Sequence, residues 1–198
     1  MFSVIENTWL DRLELVEAEA LTVAADALVV EDDGRLGAAR GMAAEADARH
    51  PELRAQREQA RAEHGGTLPL GTVVPFQTEQ DARRVVVWAV TWNAQRNAPP
   101  AERATPLLIE QVTRRALRVA MKEGALHVAL PALGTRLEHH ALPPVPKKLP
   151  RYVMGAAQLI GIGQALHQYP SLHVTVCLTQ RDLAIWHTLL GQAEDTEP

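Results

Sequence analysis

Apolar and polar positions along the chain follow two rhythms, short apolar runs bounded by turn residues and longer stretches with an apolar residue every third or fourth place. Positions 13–16 alternate, with Leu13 and Leu15 separated by Glu14, as in a partly exposed strand, and positions 2–5 suit an edge strand. Positions 24–30 form a continuous apolar run, the pattern of a central strand covered on both faces. The run stops at Glu31-Asp32-Asp33-Gly34, an acidic cluster that predicts a turn, and the small-residue loop 35–41 follows. Helix formers begin at Met42 and break at His50-Pro51. A second, mostly charged segment over 52–63 predicts a solvated helix with a thin apolar face.

The second half repeats the alternation. Positions 70–76 and 84–91 read as two strands. Between Pro99-Pro100 and Gly124 lies a helix with Leu108, Val112, Ala116 and Val119 on one stripe and Gly124 as its stop. His127 opens a short apolar strand that ends in the turn Gly134-Thr135, followed by the Pro-rich rim loop 141–150. Pro150 starts a helix to about His167, in which Gly155, Gly161 and Gly163 either permit close packing or weaken it. Positions 173–178 are the last strand. Thr179 and Asp182 are spaced as a capping box for a final helix with Leu183, Trp186 and Leu190 buried.

Strands alternating with helices predict an α/β sandwich of about six strands. At 198 residues the chain suits one domain over 1–191, with 192–198 a disordered polar tail. Charge adds little: 20 Lys and Arg against 24 Asp and Glu leave -4, which advertises neither nucleic acid nor a membrane surface. Cys177 is the only cysteine, so no disulfide framework or thiolate metal cluster forms within one chain, and a small buried core residue is expected there. The opening residues lack a signal peptide's pattern, and a cytoplasmic location is expected. Ser3 and Ser171, the only serines, follow no strand into a nucleophile elbow. Glu138-His139-His140 are adjacent on one loop, which suits a rim better than converging metal ligands.

The ordered series of motifs resembles the macrodomain, the ADP-ribose-binding module, over nearly the whole chain. Ala18-Glu19-Ala20 and the run from Val23 to Val30 look like that family's Gly-Asp-Ile and Val-Asp-Ala-Ile-Val-Asn. Pro51-Glu52-Leu53 resembles its helix break. Ala129-Leu130-Pro131-Ala132-Leu133-Gly134-Thr135, the most specific match, resembles its Ala-Phe-Pro-Ala-Ile-Gly-Thr. The resemblance implies a three-layer α/β/α sandwich with a mixed sheet and a cleft at the carboxyl ends of the strands. It implies that Glu19 accepts from an adenine amino group and that Leu133, Gly134 and Thr135 wrap a diphosphate with backbone donors. It also puts Gly37, Arg40 and Gly41 in the loop beside the distal ribose, with His140 packing near it.

Departures from the family pattern are concentrated in the same places. Val30 and Asp33 stand where active members carry Asn. The glycine run is reduced to Gly37-Ala38-Ala39-Arg40, and Arg136-Leu137-Glu138-His139 replaces Gly-Ile-Tyr-Gly. The expectation is a divergent module binding ADP-ribose or a related nucleotide without efficient catalysis and without a metal or other cofactor, Arg40 or Arg136 supplying charge-assisted contacts to phosphate. Two alternatives stay open. One is a pseudo-domain with a closed cleft that serves assembly or protein partners; the other is an ADP-ribosyl hydrolase acting on an ADP-ribosylated protein, with Asp33, Glu138 or His139 activating water.

Overall fold

The computed structural model describes residues 9–37, 41–79, 84–92, 104–135 and 149–191. Strands occupy Leu13–Glu17 (β1), Ala27–Asp33 (β2), Val73–Gln77 (β3), Val85–Trp92 (β4), His127–Pro131 (β5) and His173–Leu178 (β6). Helices occupy Gly41–Arg49 (α1), Leu53–Glu63 (α2), Pro106–Lys122 (α3), Leu149–Gln168 (α4) and Gln180–Leu189 (α5). The strands form one sheet in the order β1-β6-β5-β2-β4-β3. Only β3 runs antiparallel to its neighbour, so the carboxyl ends of β1, β6, β5, β2 and β4 share one edge.

The alternating side chains of the central strands supply two cores. Ala27 and Val29 of β2 join Val112, Ala116, Met154, Ile162 and Trp186 on the face covered by α3, α4 and α5. Leu28 and Val30 join Trp88, Ala43, Ala46 and Leu53 on the face covered by α1 and α2. The two covered faces make the three-layer sandwich. Glycine decides how closely α3 and α4 approach: a Cβ at Gly161 would lie 2.6 Å from the Glu110 carbonyl oxygen, so Gly161 serves close packing.

Several local expectations shift. The acidic cluster is not a turn: β2 continues through Glu31, Asp32 and Asp33, and the chain turns at Gly34-Arg35. The strand persists because its carboxylates are matched to donors. Asp32 Oδ2 accepts the Trp88 indole N–H at 3.0 Å inside the core, and Glu31 accepts the Thr91 hydroxyl of the neighbouring strand. The stripe of α3 is rotated, with Ile109, Val112, Thr113, Ala116, Leu117 and Ala120 buried while Leu108 and Val119 flank the core. On α2 the buried face includes Arg57 as well as Leu53 and Ala60. Gly124 ends α3 region with φ 86, and Thr179 caps α5 by accepting the Asp182 N–H at 3.2 Å. Strand 2–5, the rim loop 141–148 and the tail 192–198 lie outside the described residues.

Candidate functional site

The parallel edge opens into a cleft of about 560 Å³. Its walls are the segment after β1 (Glu17 to Leu21), Glu31 at the end of β2, Met42 and Glu45 of α1, the turn after β5 (Pro131, Ala132, Thr135), and Cys177 to Asp182 where β6 passes into α5. A cleft arises here because parallel strands all deliver their outgoing loops to one edge. Two side-chain bonds hold the walls. Arg49 Nη1 of α1 donates to the Leu21 carbonyl at 2.9 Å, and Arg151 of α4 pairs with Asp182 of α5.

The turn after β5 is fastened from both sides. Gln158, fully buried on α4, accepts the Leu133 N–H through Oε1 at 2.8 Å and donates through Nε2 to the Pro131 carbonyl at 2.8 Å. Glu31 Oε1 accepts the Gly134 N–H at 2.8 Å. Ala27, Val29 and Glu31 alternate onto one face of β2, and beyond the core that face opens at the cleft, so the carboxylate of Glu31 reaches the turn. Gly134 adopts φ 66, and a Cβ there would meet Ile109 Cδ1 at 2.7 Å; both the backbone conformation and the space require glycine.

The sequence-derived site residues divide. Glu19 and Thr135 line the cleft, and Leu133 and Gly134 form the turn behind it. Val30 departs from the expectation: it is fully buried among Trp88, Leu53 and the other residues beneath α1 and α2, because strand alternation sends it away from the cleft face. Asp33 departs as well. Its Oδ1 accepts the Arg35 N–H at 2.7 Å, closing the turn after β2, and it is not among the residues lining the cleft. Gly37 lies against a separate hollow near α2, and Gly41 opens α1 with φ 65. Arg40, Arg136, Glu138, His139 and His140 lie outside the described residues.

Glu31, Gln158 and Asp182 were not among the site residues read from the sequence, Asp182 having been read only as part of a helix cap. For Glu31 a signal existed, since counting alternate positions forward from Ala27 and Val29 puts it on one face and Asp32 on the other. Gln158 interrupts an otherwise apolar face of α4, which is a signal for a buried polar role but not for its target. Among the described residues the lining carries five carboxylates, Glu17, Glu19, Glu31, Glu45 and Asp182, and neither lysine nor arginine. No group of three His, Cys, Asp or Glu side chains among the described residues is arranged to hold a metal ion. No described helix is long and apolar enough to cross a membrane.

No family model and no curated protein matches the sequence. Solved structures do. The Oceanobacillus iheyensis macrodomain with ADP superposes at a TM-score of 0.74 with 22% identity over 90% of each chain. The Trypanosoma brucei macrodomain in complex with ADP-ribose gives 0.73 with 15% identity, over 94% of this chain and 72% of that one. The macrodomain of Mycobacterium tuberculosis DarG gives 0.62 with 17% identity, over 83% and 96%. Identities this low speak to architecture alone, and with the mixed six-stranded sheet and its two helical layers they establish that the chain has the macrodomain fold.

Proposed function

We propose that this protein binds ADP-ribose or a related nucleotide in the cleft at the parallel edge and does not catalyse efficiently. The observation that carries the reading is the cleft of about 560 Å³ with Glu19 on one wall and the glycine-bearing turn after β5 on another, in a fold whose solved examples include one with ADP and one with ADP-ribose. Such a volume falls in the range that holds a drug-sized ligand. Glu19 offers a carboxylate acceptor to the adenine amino group, and the turn offers phosphate the Gly134 N–H in exchange for the Glu31 carboxylate that it now bonds. Against efficient hydrolysis stands the placement of Val30 in the core and of Asp33 in its own turn, neither of them in the lining of the cleft. Calorimetry with ADP-ribose tests the proposal: a saturable heat is expected, weakened about tenfold in Glu19→Ala, the loss of one charged hydrogen bond. Absence of heat at millimolar ligand would remove it.

One observation favours a second reading, in which the cleft is closed to anions and the domain serves protein partners. The Leu133 and Gly134 N–H groups are already satisfied by Gln158 and Glu31. A specific thermal shift with any nucleotide of a ligand panel would count against it.

A further inference from the structure

Three consecutive peptide units of the turn after β5 are fastened in two different ways. Gln158 holds the first two, donating to the Pro131 carbonyl and accepting the Leu133 N–H, each at 2.8 Å. Glu31 holds the third through the Gly134 N–H at 2.8 Å. The two fastenings differ in access. Glu31 lines the cleft, so a ligand there can compete for its bond. Gln158 is fully buried and takes no part in the lining, so its bonds lie beyond a ligand's reach.

An amide is an expensive way to fill the place that Gln158 occupies. One helical turn to either side on α4 stand Met154 and Ile162, both fully buried, and an amide among apolar side chains is unfavourable unless it is bonded. Among the described residues its side-chain bonds go only to the turn. The third peptide unit needs that support. Gly134 sits at φ 66, and once Glu31 releases its N–H, the freedom of a glycine would let the unit swing unless the two units before it stay fixed.

We infer that Gln158 is a positioning residue for the phosphate of the cleft's ligand. It touches no ligand itself. It keeps the first two peptide units in place while phosphate replaces Glu31 at the third, so the Gly134 N–H stays aimed at the anion and the turn has no freedom left to lose on binding. Glu31 can therefore be exchanged for a ligand without the turn collapsing, because its second fastening is on the side away from solvent. This role rests on the reading of the cleft as the site of a phosphate-bearing nucleotide.

The test is a titration of the whole chain with ADP-ribose, read at two amide resonances, Gly134 for the phosphate end and Ala20, beside Glu19 in the lining, for the base end. Both should shift saturably in the wild type. Q158L removes both bonds to the turn; affinity should fall about tenfold, the worth of one hydrogen bond to a charged group, and at saturation the Gly134 displacement should shrink while that of Ala20 persists. Q158E still accepts from Leu133 but donates to the Pro131 carbonyl only when protonated. Its affinity and Gly134 displacement, relative to the wild type, should recover as pH falls across roughly 9 to 5, the span that holds the pKa of buried glutamates. No saturable shift at either amide in the wild type would remove the proposed function and this role with it. Wild-type affinity in a folded Q158L, or equal losses at Gly134 and Ala20, would remove the role of Gln158 alone. Should Q158L not fold, Q158E decides: a Gly134 displacement that matches the wild type at every pH overturns the assignment.

Discussion

The two ends of β2 use the same chemistry to different effect. At the start of the strand, Asp26 Oδ2 accepts the main-chain N–H groups of Leu126 and His127 at 2.8 and 2.9 Å, fastening the beginning of β5. At its end, Glu31 accepts the Gly134 N–H at 2.8 Å, fastening the turn that follows β5. Burial tends to raise the Asp26 pKa, but the N–H groups of His127 and Leu126 and the Arg84 charge outweigh it and hold the carboxyl below the ordinary aspartate range. That end of the strand is committed to structure. Glu31 lines the cleft among four other carboxylates, and the donor it holds is one that, in the proposed function, an incoming phosphate needs. On the proposed function, a bond that stabilises at one end would compete with a ligand at the other.

The largest effect expected from disturbing this arrangement is on stability at the Glu31 end. Gly134→Ala puts an L side chain into a left-handed conformation, at about 1–2 kcal/mol, and pushes Cβ to 2.7 Å from Ile109 Cδ1, an overpacking of about 1–3 kcal/mol. Urea denaturation should show a loss of about 2–5 kcal/mol at unchanged m-value. A loss under about 0.5 kcal/mol, the ordinary surface range, would mean that the turn is not the rigid feature its geometry indicates.

Asp26→Ala comes next, at about 1–3 kcal/mol for two main-chain donors left to water or unpaired, with nucleotide affinity unchanged because the residue lies at the opposite edge. The pH dependence has a fixed sign. A carboxyl with a depressed folded-state pKa contributes stability that is present above its unfolded-state pKa and lost as pH falls through the folded value. The stability gap between the wild type and Asp26→Asn should therefore be full at neutral pH and shrink as pH drops below about 4. A gap that widens in acid would contradict the role assigned to Asp26.

This pairing of edges also separates what was legible in the sequence from what was not. The apolar runs gave the central strands, because burial on both faces leaves an unmistakable composition, and the Gly134-Thr135 turn was visible because a strand, a proline and a glycine arrive together. The acidic end of β2 was misread as a turn: composition suggested solvent, whereas alternation assigned Asp32 to the Trp88 indole and Glu31 to the cleft. Arg57 escaped notice for the same reason: in the charged segment 52–63, read as a solvated helix, nothing marks its place over Trp88. Gln158 could not be assigned a target at all. Its partner Leu133 is 25 residues away on another element, and such a contact exists only once α4 has packed across the sheet.

The smallest effect is the most informative about the cleft. Glu31→Ala should cost about 1–2 kcal/mol of stability, since water in an open cleft can take over the Gly134 N–H but the buried Thr91 hydroxyl loses its acceptor. It should tighten ADP-ribose binding about tenfold, or ~1.4 kcal/mol, by freeing a donor and removing a negative charge from the phosphate's surroundings. Glu31→Gln separates those two causes. Its amide oxygen still accepts from Gly134, so a gain equal to that of alanine assigns the effect to charge, and a gain seen only with alanine assigns it to competition for the donor. If neither variant binds more tightly than the wild type in calorimetry, Glu31 is no obstacle to the ligand. It would then play at the carboxyl edge the same structural part that Asp26 plays at the other, and the contrast between the two ends of β2 would be one of position alone.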